Sequence, residues 1–247
     1  IVGYSNSPRI SSGNTDIFLI KIDNNGNMIW QKAYGNLTFP NHEWGYDIIQ
    51  TPDEGFIIVG ARDRYSKGSM NGLVIRIDEN GELIWEKELL DESQVNETIY
   101  SISLALNGAI YLCSSLNSTS FPAVYQPKIT KMDFSGNIEW QRIFNSNGSE
   151  FHQYRATNTN LGEIVLIGTS SKKLSIGNKK DAFMVKIDDS GNILWTNAYG
   201  STDEDDWGWS VFETPKRNLV FVGSTKSFGA SLFDIYLVST NSNGITQ

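Results

Sequence analysis

The 247-residue sequence holds one cysteine, Cys113, and two histidines, His42 and His152. A single cysteine excludes an internal disulfide and any cysteine-based metal cluster. Neither histidine belongs to a His-Glu-x-x-His pair, and no Gly-x-Ser-x-Gly elbow occurs, so the signatures of zinc peptidases and of α/β-type serine hydrolases are missing. No apolar run approaches the ~18 residues that a membrane-spanning helix needs. Basic residues are outnumbered, 20 Lys+Arg against 28 Asp+Glu, for a net charge of -8. Phosphate neutralisation requires basic surface, which argues against a nucleic-acid partner.

What is present suits strands. Glycine is plentiful (22), aromatics reach 12% and hydrophobic residues 39%, a mix that favours many short strands joined by turns over helices. The chain opens on Ile1 and runs directly into the apolar segment Ile1-Val2-Gly3-Tyr4. It is therefore expected to be a processed or truncated product, with any signal or anchor upstream.

One frame recurs. Phe18 to Gln31, Leu73 to Glu86, Ile129 to Gln141 and Phe183 to Thr196 align without a gap. Asp23, Asp78, Asp133 and Asp188 are 55 residues apart, as are Trp30, Trp85, Trp140 and Trp195. A fifth copy, Ile235 to Gln247, begins the pattern and stops before its Trp. Such self-similarity signals a repeat architecture. Within each copy Leu73, Ile75 and Ile77 and their counterparts alternate with Val74, Arg76 and Asp78, the two-residue period of a strand. The Asp caps a turn, the Gly takes positive φ, and the Trp segment returns antiparallel. A second hairpin lies between the copies, Tyr46 to Thr51 with Phe56 to Gly60 in the clearest case, so each repeat reads as a four-stranded blade, strands A to D. The fold class that follows is an all-β propeller of about five four-stranded blades, within one domain over 1–247. The blade segments are about 1–35, 36–90, 91–145, 146–200 and 201–247, and the first and last are incomplete.

On the Ile-Asp-x-x-Gly-x-x-x-Trp hairpin and the Gly-Phe-Ile-Ile-Val-Gly strand at 55 to 60, the chain resembles the PQQ-like and related β-propeller repeats of bacterial and archaeal secreted or cell-surface proteins. The resemblance implies the propeller fold and an extracellular or cell-surface location. It implies no single activity, because this architecture hosts unrelated ones. The repeated Trp is expected to pack one blade on the next.

A site is expected where the repeat is irregular. The A–B and C–D turns are short and uniform, whereas the B–C and D–A loops are long and differ in every blade, as binding loops on a rigid frame do. Their candidate ligand residues are Glu43, Trp44, Glu97, Asp205, Asp206 and Trp207. Carboxylates around a channel mouth would suit a cation or a polyol, and Trp44, Trp207, Tyr65, Phe121, Tyr125 and Phe228 offer aromatic faces for a sugar. The run Asp203-Glu204-Asp205-Asp206 lacks the alternating spacing of a dedicated Ca²⁺ loop, so no cofactor is expected and Ca²⁺ has no motif of its own. Sequons at Asn36, Asn96, Asn117 and Asn147 fall in expected loops and would permit N-glycosylation.

Three functions follow from these readings. The first is a non-catalytic extracellular binding or adhesion module that meets a protein or carbohydrate through its loop face. The second is a structural subunit of a surface assembly, a homo-oligomer joined by strand complementation at the incomplete blades. The third is a glycoside-active enzyme with axial carboxylates. The scarcity of catalytic constellations favours the first and the expectation that the chain is not an enzyme.

Overall fold

The computed structural model describes residues 1–7, 14–35, 41–63, 70–89, 95–105, 107–118, 125–144, 151–171, 179–229 and 232–246, without the side chains of 118, 151–154 and 171. Among the described residues there is no helix; eighteen strands form five separate antiparallel sheets. The first sheet has three strands in the order β1 (Val2–Ser5), β2 (Asp16–Ile22) and β3 (Met28–Tyr34). The second runs β4 (His42–Gln50), β5 (Phe56–Asp63), β6 (Met70–Ile77) and β7 (Leu83–Leu89). The third contains β8 (Val95–Leu104), β9 (Ile110–Ser118), β10 (Tyr125–Met132) and β11 (Ile138–Ile143). The fourth follows with β12 (Phe151–Asn158), β13 (Ile164–Ser171), β14 (Lys180–Ile187) and β15 (Ile193–Tyr199). The fifth again has three, β16 (Asp206–Glu213), β17 (Leu219–Thr225) and β18 (Asp234–Thr240).

The repeated hairpin is built by its aspartate. Asp23 Oδ1 accepts the backbone N–H groups of Asn25 and Asn27, both at 2.8 Å. Asp78, Asp133 and Asp188 do the same for their own turns, and Asn241 substitutes in the fifth copy. Hydrogen bonds to Asn27 hold the exposed Asp23 carboxyl below the usual range, and Asp133 and Asp188 behave likewise with Asn137 and Asn192. These acids are turn-formers at the surface.

Gly and Trp form a pair from neighbouring copies. Gly81, Gly191 and Gly244 have φ of 78°, 81° and 75°, a region that disfavours a side chain. A Cβ at Gly191 would lie 3.1 Å from Trp140 Cη2, and one at Gly244 only 2.9 Å from Trp195 Cη2. Each indole thus packs flush on the turn of the following copy. Trp140 Nε1 donates to the Asp189 carbonyl at 3.1 Å, and Trp195 Nε1 to the Ser242 carbonyl at 3.3 Å. The Trp is a sheet-to-sheet spacer, as its recurrence led us to expect.

Two compact units are formed, one of Ile1–Ile102 with Leu116–Ala123 and one of Ser103–Ser115 with Val124–Gln247. The first is centred on Ile17, Leu19, Ile58, Leu73, Ile75 and Ile77. In the second, Tyr111, Ile129, Leu166 and Phe183 pack in one cluster, and Ile167, Met184, Tyr199 and Phe221 in another. Cys113, which forms no disulfide, is buried in the former cluster.

Candidate functional site

All the candidate ligand residues but Asp205 lie in strands, and Glu43, Glu97 and Asp206 are buried. Glu43 and Trp44 belong to β4, Glu97 to β8, and Asp206 and Trp207 to β16. Glu43 and Asp206 are 0% exposed and Glu97 is 1% exposed. They do not form a solvent-facing ring of carboxylates. The strands extend further toward this end than the alternation of their apolar residues suggests, because polar side chains satisfy one another inside the sheets there.

In the first unit the hub is Arg62, opposite Glu43 in the β4–β5 pairing. Its Nε donates to Glu43 Oε1 at 2.9 Å, and its Nη1 to Glu88 Oε1 at 2.7 Å and Glu86 Oε1 at 3.0 Å. Glu43 Oε2 has no hydrogen-bond partner among the described residues. Burial pushes the Glu43 carboxyl up to about 7; Arg62 opposes the shift, while Asp16 and Glu86 reinforce it. Three acids thus share one guanidinium, and one of them, Glu43, is held near neutrality by its burial. Gly35 is what lets Asp16 in, since a Cβ at Gly35 would collide with the Asp16 carboxylate.

The second unit repeats the arrangement 165 residues later with different partners. Gly200 stands where Gly35 does, and a Cβ there would collide with Asp181 Oδ1 and Asp206 Oδ2. Two buried carboxylates therefore converge on one glycine. Asp206 accepts the Thr225 hydroxyl on Oδ1; Oδ2 accepts the Ser227 hydroxyl at 2.5 Å and the Ser201 N–H at 3.2 Å. Thr225 Oγ1 in turn accepts the N–H groups of Ser227 at 3.0 Å and Phe228 at 3.2 Å. The buried acid thereby fixes the turn after β17.

That turn carries an aromatic ledge. Trp207 and Phe233 meet with ring centroids 5.0 Å apart, and Lys226 Nζ lies 4.6 Å from the Phe233 centroid and 5.9 Å from that of Trp207. Phe228 stacks on Tyr236 at 5.5 Å, and Tyr236 packs edge-on against the buried Phe221. Burial pushes the Tyr236 hydroxyl up to about 12, with Asp206 and Asp181 adding to the shift. Phe233 is 56% and Phe228 50% exposed. Large aromatic faces are normally buried; here Phe233 is held at the surface by Trp207 and Lys226, and Phe228 separately by Tyr236, which rests on the buried Phe221. Ser201 Oγ, 2.9 Å from Ser227 Oγ, ties the acidic loop at Thr202, Asp203 and Glu204 to the rim of the ledge.

The remaining candidates are placed as follows. Trp44 is half-buried and stacks on His42 at 5.8 Å. Asp205 accepts the Lys180 N–H at 2.9 Å and so serves the start of β14. Asn96 sits in β8, where it accepts the Met70 N–H at 3.0 Å, and Asn117 lies in β9, so neither occupies the loop expected for a sequon. Asn36, Asn147, Tyr65 and Phe121 lie outside the described residues, as does the side chain of His152. Among the described residues no group of three or more His, Cys, Asp or Glu side chains could hold a metal ion. Sequence reasoning missed Arg62, Asp16 and Asp181. The signal for Asp16 and Asp181 was their matched spacing from Tyr34-Gly35 and Tyr199-Gly200; Arg62 carried no such signal.

No protein-family model and no curated protein matches the chain. It is similar to solved structures. A protein of unknown function from Dyadobacter fermentans superposes with a TM-score of 0.63 at 11% identity, over 96% of this chain and 71% of that one. A mutant of the NanB sialidase from Streptococcus pneumoniae gives 0.55 at 11% identity, over 94% of this chain but only 36% of the sialidase. An endo-arabinase from Bacteroides thetaiotaomicron gives 0.50 at 12% identity, over 97% of this chain and 88% of that one. These likenesses show a β-propeller-like all-β fold. They also correct one expectation. The fold is one on which carbohydrate-active enzymes are built, so the scarcity of catalytic motifs in the sequence does not mark the chain as a non-enzyme.

Proposed function

We propose that this protein is a carbohydrate-directed β-propeller-like protein whose glycan contact is the aromatic ledge of Trp207 and Phe233. The observation that carries the reading is the ledge itself: Phe233 is 56% exposed yet locked between Trp207 and Lys226. A sugar ring presents C–H groups on one face and hydroxyls at its edge. A rigid aromatic surface accepts the first, and fixed polar groups accept the second. Lys226, Ser227, Asp203 and Glu204 supply those polar groups at the ledge rim. Asp206 and Asp181, both fully buried, act from beneath as positioning residues and do not touch the glycan.

That the similar structures include a sialidase and an endo-arabinase supports a carbohydrate partner. The reading extends to an extracellular or cell-surface location, where polymeric glycans are met. A panel of arabinan, sialylated oligosaccharides and acidic algal polysaccharide, titrated while following tryptophan fluorescence, tests it. Saturable quenching by at least one glycan, lost in Trp207→Ala, is expected; a response that Trp207→Ala leaves unchanged contradicts it.

A further inference from the structure

In the second to fifth sheets the first two strands are joined by turns of one backbone plan. Thr51, Ala105, Thr159 and Thr214 each donate their N–H to the carbonyl four residues on, at 2.8 or 2.9 Å, and the fourth residue of each turn has a positive φ. In the second and fifth sheets that residue carries a long charged side chain, Glu54 at 65° and Arg217 at 63°. In the third and fourth sheets it is Gly108 and Gly162, and a Cβ on Gly162 would meet nothing within 4 Å. A cavity of about 320 Å³ opens there, within the second unit, between these two turns and the 188–192 turn of the fourth sheet.

Its walls are fixed and mixed in character. Leu161, 57% exposed, and Ala105 give apolar surface, and Asn107 and Asn160 give amides. Asn107 Oδ1 accepts the Ala109 N–H at 3.1 Å, and Glu213 Oε2 accepts the Asn160 N–H at 2.7 Å, so both turns are fastened. Asp189 is the one charged residue among the described lining residues. Its Oδ2 accepts Lys131 Nζ at 2.8 Å, and its Oδ1 accepts the hydroxyl of the fully buried Tyr111 and Asn107 Nδ2 at 3.4 Å. Lys131 and then Tyr111 hold the carboxyl below its usual range. The lysines opposite Trp30 and Trp195 behave differently: Lys21 and Lys186 donate to the backbone carbonyls of Glu79 and Ser242, at 2.9 and 3.2 Å. At this junction Lys131 takes a carboxylate instead, and Trp140 Nε1 takes the Asp189 carbonyl.

We infer that this cavity binds one neutral sugar ring or a polyol of that size, at a second site that shares no residue with the ledge and does not depend on it. Charge decides the class. Asp189 is already paired with Lys131, so a cation finds no unmatched charge among the lining residues, and an anion would face a carboxylate. Two amides and a carboxylate set donors and acceptors side by side. Vicinal hydroxyls match that pattern, since each both donates and accepts. Leu161 offers the apolar wall that the C–H groups of a ring require. Ligand sites run from ~300 to ~1,000 Å³, so this one, at the low end, has room for a single ring and not for a chain.

Two-dimensional ¹⁵N–¹H NMR of the whole chain, reading the side-chain amides of Asn107 and Asn160, tests the inference. Glucose, galactose, xylose and arabinose serve as neutral probes, methylammonium and acetate as charged ones. At least one sugar is expected to shift both amides saturably with a Kd of about 0.5–20 mM, the range of a small ligand with few contacts. The charged probes should leave them unmoved at the same concentrations. Gly162→Arg puts into the cavity the side chain that the fifth sheet's turn already carries as Arg217 at a φ of 63°. It should abolish the shifts while keeping the unfolding midpoint within about 4 °C of the wild type. Leu161→Ala, at an exposed position, should weaken the sugar about threefold. Phe233→Ala, which strikes the ledge, should leave these shifts unaltered, so the two sites are read separately. No saturable shift with any of the four sugars, a shift by methylammonium or acetate in their place, or sugar binding that Gly162→Arg and Leu161→Ala leave unchanged overturns the proposal.

Discussion

Ser227 donates its hydroxyl to Asp206 across 2.5 Å, and through that bond a fully buried carboxylate governs a surface turn. The same acid takes the Thr225 hydroxyl, and Thr225 receives the backbone of Ser227 and Phe228. Asp206→Ala removes the acceptor for both hydroxyls and for the Ser201 N–H. A loss of about 3 kcal/mol in unfolding free energy is expected, since partners of a buried charge are left unmatched. Glycan affinity should fall about tenfold, although the residue never meets the ligand, because the ledge loses its fixed geometry. Denaturant unfolding and a binding titration on the same preparation check both. An Asp206→Ala protein of unchanged affinity would detach the carboxylate from the ledge.

Gly200 is required for the space it leaves. Gly200→Ala drives a methyl into Asp181 and Asp206, and a destabilisation of about 2–4 kcal/mol is expected from overpacking against two immobile carboxylates. Gly3 provides the control, since an added Cβ there meets nothing within 4 Å. Gly3→Ala should change stability by no more than about 0.5 kcal/mol. Thermal or urea unfolding of the two variants decides; equal effects would mean that the space around Gly200 relaxes freely.

Glu43 gives the first unit a pH dependence of definite sign. Its folded carboxyl is pushed up to about 7, whereas an unfolded glutamate titrates near 4.3. Between those values the folded chain holds a proton that the unfolded chain releases, so stability falls as pH rises through the window and levels off above it. The wild type should therefore lose stability from pH 5 to pH 8 relative to Glu43→Gln, which carries no titrating proton at that position. Unfolding midpoints at several pH values check this. Parallel profiles for the two proteins would show that Glu43 is ionised throughout.

The legible part of the fold was its local chemistry. Asp23, Gly26 and Met28 to Trp30 lie within eight residues of one another, so the turn and its return strand could be read from spacing alone. The packing of each Trp onto the next copy was also expected from the recurrence, but that Trp195 meets Gly244 there was seen only in the structure. The buried polar centres could not be read this way. Arg62 contacts Glu86 and Glu88, but the residue 55 positions on is Asn117, so periodicity never singled it out. Glu43 and Asp206 seemed to belong to loops because acidic residues usually face water; their burial depends on Arg62 in one case and Thr225 with Ser227 in the other. Trp207 was singled out from its sequence position, but its partners Lys226 and Phe233 stand at the two ends of the segment between β17 and β18, which only the β16–β17–β18 register brings near.

The central claim is that the ledge holds a glycan, and its most direct test is calorimetric titration of the wild type, Phe233→Ala and Trp30→Phe with the glycan that quenches tryptophan fluorescence. Trp30 is a spacer in the other unit, so its conservative change reports on general damage. A wild-type Kd between about 10 µM and 1 mM is expected, in the range of modest contact areas, weakened at least tenfold by Phe233→Ala and unaltered by Trp30→Phe. Binding that survives Phe233→Ala at full strength, or that no glycan of the panel elicits, would contradict the account.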